Sequence, residues 1–212
     1  MAGNGGGNWR DHLQPCEYLQ SDGNSWIVLD KKIDVYNDFA LKGIYLSASG
    51  DFFFGSRNGY LDHSFIAFRW SNKTGGFTCQ KSENNEIYFN ASDHSYIFKI
   101  QGNTMSINNF DDTLVSSKSI SGHQFTSSYN FALFTCNSSG GVLTPCKIGC
   151  KIYYCYNINN FDLLSCYVID EYTDNKGNAC SSGVAGMVDT LTGIFYTNDG
   201  SGNFTHGADI IL

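Results

Sequence analysis

The chain has almost no proline, little glutamate and few charges. Two prolines in 212 residues, against 23 glycines, leave glycine, asparagine, serine and aspartate as its turn formers. Charged residues make up 16%, so Asn, Ser, Thr and Gly must cover much of the surface. Positive charge is the scarcer sign. The formal net charge is -7 with no basic stripe, which argues against a nucleic-acid partner. No stretch reaches the roughly 18 to 20 apolar residues of a membrane-spanning helix. The first fifteen residues, "MAGNGGGNWRDHLQP", hold no basic segment followed by an apolar core, so no signal peptide is expected. They read as a glycine-rich arm over residues 1–15, with Trp9 and Arg10 as its docking residues.

Helical periodicity is also missing. No window of eleven or more residues places apolar side chains at i, i+3, i+4 and i+7. Short aromatic and β-branched runs, bounded by Asn, Gly, Ser and Asp, are present instead. "SWIVLD" (25–30), "DFALKGIYLSA" (38–48), "DFFFGSR" (51–57) and "SFIAFRW" (64–70) begin the series. "SYIFKIQ" (95–101), "YNFALFTC" (129–136), "CKIGCKIYYCYN" (146–157) and "DLLSCYVID" (162–170) continue it. This predicts an all-β antiparallel sandwich or barrel in one domain over residues 16–212. Two hairpins are expected. One turns at Gln101-Gly102-Asn103, and one over Asp189 to Gly193 with a late glycine.

Eight cysteines lie mostly inside apolar runs, where free buried thiols are expected. Cys146, Cys150 and Cys155 invite a zinc reading. On an extended strand, at roughly 3.3 Å per residue, Cys146 and Cys150 would lie about 13 Å apart. Zinc needs its sulfurs within about 4 Å of one another, so no metal site is assigned. Carboxylates at Asp51, Asp62 and Asp93 could hold calcium at strand ends, but no calcium-loop spacing accompanies them.

Catalytic patterns are thin. Asp11-His12, Asp62-His63 and Asp93-His94 resemble parts of a triad, but neighbours on a strand point to opposite faces. No G-x-S-x-G elbow supplies a nucleophile. Glycoside hydrolysis needs two flanking carboxylates. The four glutamates, Glu17, Glu83, Glu86 and Glu171, have neither the E-x-D-x-x-E nor the E-x-D-x-E spacing of sandwich-fold glucanases. The chain is therefore read as a non-enzyme with no cofactor. Tyr60, in the loop-like "SRNGYLDH", is the best contact residue for a ligand such as a sugar ring, with Trp70 and Asp62 as further candidates.

Several segments resemble concanavalin A-like, laminin-G-like jelly-roll domains. "CEYLQSDGNSWIVLDKKI" (16–33) is similar to the family's "EYIxSTGTQYIDTGI" opening. "SYIFKIQGNTMSINN" resembles its "HTVxLDGNxIYxNG" hairpin, and "CKIYYCYNINN" its "CKIYDNGxL". "SSGVAGMVDTLTGIFYTNDGSGNFTHGADI" is similar to "xxVxGLYDxVNxKFYTNAGSGxFTxGPDV". The resemblance runs over residues 16–210. It departs at "LLSCYVI" (163–169), where Ser165 and Cys166 stand in place of the family's Arg-Asp pair. Such domains abound in phage structural proteins and in surface proteins of gut bacteria. The resemblance implies a two-sheet antiparallel jelly-roll sandwich, and a virion structural, decoration or fibre-type module with other virion proteins as partners. The alternative it leaves is a glycan-binding adhesin on a phage or bacterial surface, facing host polysaccharide. Edge strands of an all-β domain also leave homo-oligomerisation open.

Overall fold

The computed structural model describes residues 8–46, 51–57, 65–71, 74–80, 86–89, 95–122, 124–146 and 148–211. After a short 3₁₀ turn at Trp9–Asp11 come β1 (Leu13–Pro15), β2 (Leu19–Gln20), β3 (Ile27–Asp34), β4 (Phe39–Ile44) and β5 (Phe52–Arg57). Then follow β6 (Phe65–Ser71), β7 (Thr74–Gln80), β8 (Glu86–Phe89), β9 (Ser95–Gln101), β10 (Thr104–Asn108) and β11 (Leu114–Ser119). The middle of the chain forms β12 (Thr126–Leu133), β13 (Asn137–Ser138), β14 (Gly141–Val142), β15 (Lys151–Asn157) and β16 (Phe161–Val168). The last elements are β17 (Glu171–Thr173), β18 (Ala179–Ser181), β19 (Ala185–Asp189), β20 (Phe195–Tyr196) and β21 (Thr205–His206).

The protein is all-β with two main, mostly antiparallel sheets. The larger runs β11-β10-β9-β4-β15-β16-β19-β20; at one end of it β1 pairs with β16, and β2 pairs with β15 and β21. The smaller runs β14-β13-β5-β6-β7-β8, with β12 linking β5 to β3. The smaller sheet is mixed rather than purely antiparallel, because Asn137 and Ser138 run parallel to Ser56 and Arg57.

Alternation along β4, β5, β9 and β12 turns one set of side chains into the space between the sheets. Phenylalanine fills it. Phe98 lies 5.2 Å from Phe54 and 4.6 Å from Phe68, and Phe39 lies 5.8 Å from Phe131, ring centre to ring centre. A second apolar cluster lies on the opposite face of the larger sheet. There Trp9 and Leu13 cover Cys166, Val168, Val188 and Phe195. β16 is therefore buried on both faces, which is why "LLSCYV" reads as a continuous apolar run rather than an alternating one.

Two expectations need correction. Residues 9–15 are packed rather than arm-like. Trp9 is 6% exposed, and Leu13, Gln14 and Pro15 pair with Val168, Tyr167 and Cys166. Cys146 and residues 148–150 are not strand. They turn at Ile148–Gly149, with Gly149 at φ 92° and its N–H donating to the Ser21 carbonyl at 2.8 Å. That turn makes Cys146 and Cys150 hydrogen-bonded neighbours. All eight cysteines are buried and none is in a disulfide.

Both expected hairpins are present. Gly102, at φ 55°, and Asn103 form a two-residue loop between Gln101 and Thr104. Gly193, at φ 74°, donates its N–H to the Asp189 carbonyl at 2.7 Å and closes the β19–β20 turn.

Candidate functional site

A concavity opens beside that closing hairpin. β19 and β20 pair only at Met187↔Tyr196 and Val188↔Phe195. Beyond this point the chain leaves β19 because residues 26–28 hold it elsewhere. The Asp199 N–H donates to the Trp26 carbonyl at 2.8 Å, and the Val28 N–H donates to Asp199 Oδ2 at 2.7 Å. Asn198 Oδ1 accepts the Trp26 N–H at 3.1 Å and the Gly200 N–H at 2.7 Å. Tight glycines permit this crossing: a Cβ at Gly200 would run into the Asn24 carbonyl and the Trp26 ring.

The separated strands leave a cleft of about 610 Å³, within the size range of small-molecule sites. One wall is Ser182, Gly183, Val184 and Ala185; the other is Asn203 and Phe204, with Thr197 and Asn198 between them. Phe204 is anchored against Phe134, ring centres 5.2 Å apart. No lining residue carries a formal charge at neutral pH; the one titratable group among them, the Cys180 thiol, is pushed up by burial and stays neutral.

Charge lies one layer behind the lining. Asp174, 7% exposed, accepts from the Lys176 and Asn178 N–H groups at 2.9 and 2.8 Å and from Asn178 Nδ2 at 3.1 Å. Its other partner is the Thr197 hydroxyl at 2.9 Å. Burial raises this carboxyl's pKa, but bonds from Asn178, Thr197 and Lys176 outweigh it, so the net shift is downward. Asp22 behaves likewise. Burial raises it, and bonds from the Asn203 and Asn24 amides and the Ser25 hydroxyl lower it further. These carboxylates pin residues 197 and 203 in place and do not face each other as a catalytic pair.

A second surface lies on the outer face of the larger sheet. Tyr153 sits 5.5 Å from Tyr18 and 5.2 Å from Phe110. Two lysines occupy these rings. Lys151 Nζ is 4.0 Å from the Tyr18 centre, and Lys42 Nζ is 4.5 Å from that of Phe110. Cation–π contact within the chain thus already takes ring faces that a ligand would need. A smaller hollow of about 260 Å³ beside Arg10 and Ile210 falls below the usual ligand range of about 300–1,000 Å³.

The residues singled out in the sequence fall elsewhere. Tyr60 and Asp62 lie outside the described residues, as do Asp93, His94 and Glu83. Trp70 is on β6 opposite Gly75, with its side chain outside the described residues. Arg10 is exposed and its guanidinium lies 4.5 Å from the Trp9 ring centre. His12 is met by Asp170 at 3.1 Å, and the Asp11-His12 pair closes the 3₁₀ turn rather than lying on a strand. Ser165 and Cys166 are fully buried, and the Ser165 hydroxyl donates to the Ile152 carbonyl at 3.0 Å. Burial pushes the thiols of Cys16, Cys79 and Cys136 up to about 12, so they stay protonated and poorly nucleophilic. Among the described residues no group of three His, Cys, Asp or Glu side chains could hold a metal ion. The cleft itself escaped the sequence reading, although "FYTNDGSGNF" supplies half of its lining.

No family model matches the chain, and comparison with curated proteins finds no match.

Proposed function

We propose that the chain is a non-enzymatic virion structural module of decoration or fibre type, attached to other virion proteins through one end. Its framework is the concanavalin A-like, laminin-G-like jelly roll that its motifs resemble. One observation carries the reading: the two ends of the described chain meet at one end of the larger sheet, beside the start of β15 and the end of β16. The Ile210 N–H donates to the Pro15 carbonyl at 2.9 Å, Gln14 Nε2 donates to the Ile210 carbonyl at 3.0 Å, and β2 pairs with β21. A module tethered there leaves its other end free to face outward. The step from such a fold to a function is analogy, and it is tested on particles. Residues 9–15 belong to the fold, so the docking segment is confined to residues 1–7. Deleting residues 2–7 is expected to abolish cosedimentation with particles while leaving thermal unfolding unchanged. Undiminished cosedimentation of the deleted protein overturns the proposal.

The second reading, a glycan-binding adhesin, is favoured by the uncharged cleft beside β19 and β20. Cosedimentation with host-type polysaccharide but not with particles would select it.

A further inference from the structure

We infer that the cleft between residues 182–185 and 197–204 is a binding site for a neutral hexose unit of a glycan. The inference rests on the adhesin reading and deepens it, by naming where the sugar sits and what recognises it.

The chemistry of the lining points to this ligand. The concavity carries no formal charge on its walls, so an ionic ligand would lose its hydration with no counter-charge in return. What the walls offer is hydroxyl, amide and thiol groups beside the apolar surface of Val184, Ala185 and Phe204. A pyranose ring has that same division, with hydroxyls around its rim and C–H groups on its face.

Thr197 supplies direction. Its hydroxyl proton is committed to Asp174 Oδ2 at 2.9 Å. The oxygen can therefore only accept, and its natural partner in the cleft is a donor such as a sugar hydroxyl. Asp174 is itself fixed by Lys176 and Asn178, so the acceptor is held in place before a ligand arrives. On the opposite wall, the backbone of Asn203 is tied by its N–H to Asp22 Oδ2 at 2.7 Å, while the residue itself is exposed. Ser182 faces it from the turn before β19 and is likewise exposed. Donor, acceptor and apolar wall thus converge on one space from three separate chain segments.

Lactose, maltotriose and N,N′-diacetylchitobiose, titrated separately into ¹⁵N-labelled full chain at millimolar concentration, test the site. At least one should shift the amide signals of Gly183, Ala185, Asn198, Asn203 and Phe204. Thr197→Val should weaken that binding about tenfold, as expected for one lost ligand hydrogen bond. Thr197→Val also takes a donor from Asp174, so Ser182→Trp provides an independent check. Ser182 is exposed, and the indole should fill the cleft and abolish the shifts with the fold intact. Shifts that persist in Ser182→Trp overturn the assignment. Shifts that move to Tyr18 and Tyr153 overturn the cleft but keep the adhesin reading. No shift from any of the three sugars overturns both.

Discussion

The space between the two sheets and the region around the closing hairpin are held by different forces. Rings fill the first. Phe53, Phe54, Phe68, Phe98 and Phe131 are fully or almost fully buried and touch one another in tilted, stacked and edge-on pairs. Such packing is non-directional and indifferent to pH. Carboxylates organise the second. Asp22, Asp174, Asp189 and Asp199 each accept from backbone amides and tie together segments far apart in sequence. Such bonds are directional and depend on ionisation. Apolar burial supplies bulk stability, while the carboxylates set the shape of the cleft beside the closing hairpin.

Substitution should separate the two kinds of support, and the inter-sheet core should show the largest effect. Phe54→Ala removes a ring packed between Phe68, Phe98 and Phe131, and should cost about 3–5 kcal/mol. Urea unfolding measures it as a lowered midpoint with unchanged slope, and the loss should be the same at pH 4 and pH 7. A loss that depends on pH would erase the distinction between the regions.

Trp9→Ala comes next. Trp9 seals the second apolar cluster from the outside, over Leu13 and Phe195. At 6% exposure it should cost about 3 kcal/mol, the low end for a buried tryptophan. A change below about 0.5 kcal/mol, the scale of surface substitutions, would return residues 9–15 to the status of an arm.

How much of this was legible depends on how local each cause is. The β19–β20 hairpin was, because Asp189 and Gly193 carry its turn chemistry within five residues. The phenylalanine strands were, because "DFFFGSR" and "SYIFKIQ" hold enough apolar surface to need a core. β11 was not: "LVSSKS" lies at the sheet edge with Leu114 57% exposed, so no face is buried enough to write an alternating pattern. "CKIGC" misled in the other direction, since an apolar run cannot reveal that Gly149 turns left-handed. Trp9 was read as arm because glycines precede it, whereas what buries it is a sheet face some 150 residues later. The cleft had no local signal. It needs Asp174 to reach Thr197 and Asp22 to reach Asn203, separations of 23 and 181 residues. Only the fold brings those pairs together.

Asp174→Asn sharpens the contrast through pH. The folded Asp174 carboxyl lies below its ordinary value of 3.8. Its contribution is therefore complete above the unfolded value near 3.8 and is lost as pH falls through the lower folded value. At pH 7 the substitution leaves amide donors facing a side-chain NH₂, and should cost about 1–3 kcal/mol. The difference between variant and parent should shrink on acidification below pH 3.8, in thermal melts at stepped pH. A constant difference would show that Asp174 acts by shape alone.

The smallest effect should come from a carboxylate outside the closing region. Lys99 Nζ meets both oxygens of Asp112 at 2.6 Å on the β9–β10–β11 edge. The contact is shorter than those that Asp22, Asp174 and Asp199 make to Asn203, Thr197 and Val28, but the Asp112 side chain is 56% exposed. Water and salt screen such a pair, and ordering the long lysine chain offsets part of its attraction. Asp112 is also held by Asn108, whose Nδ2 donates to its carbonyl and its Oδ1 at 2.9 Å. Lys99→Gln should therefore cost less than about 1 kcal/mol, and nothing measurable in about 1 M salt, where the screening length is about 3 Å. A larger loss that survives high salt would mean that short contact distance, rather than burial of the carboxylate, decides how strongly these acids hold the fold. Asp112 and Asp174 would then belong to one class, and the closing region would lose its claim to be built differently.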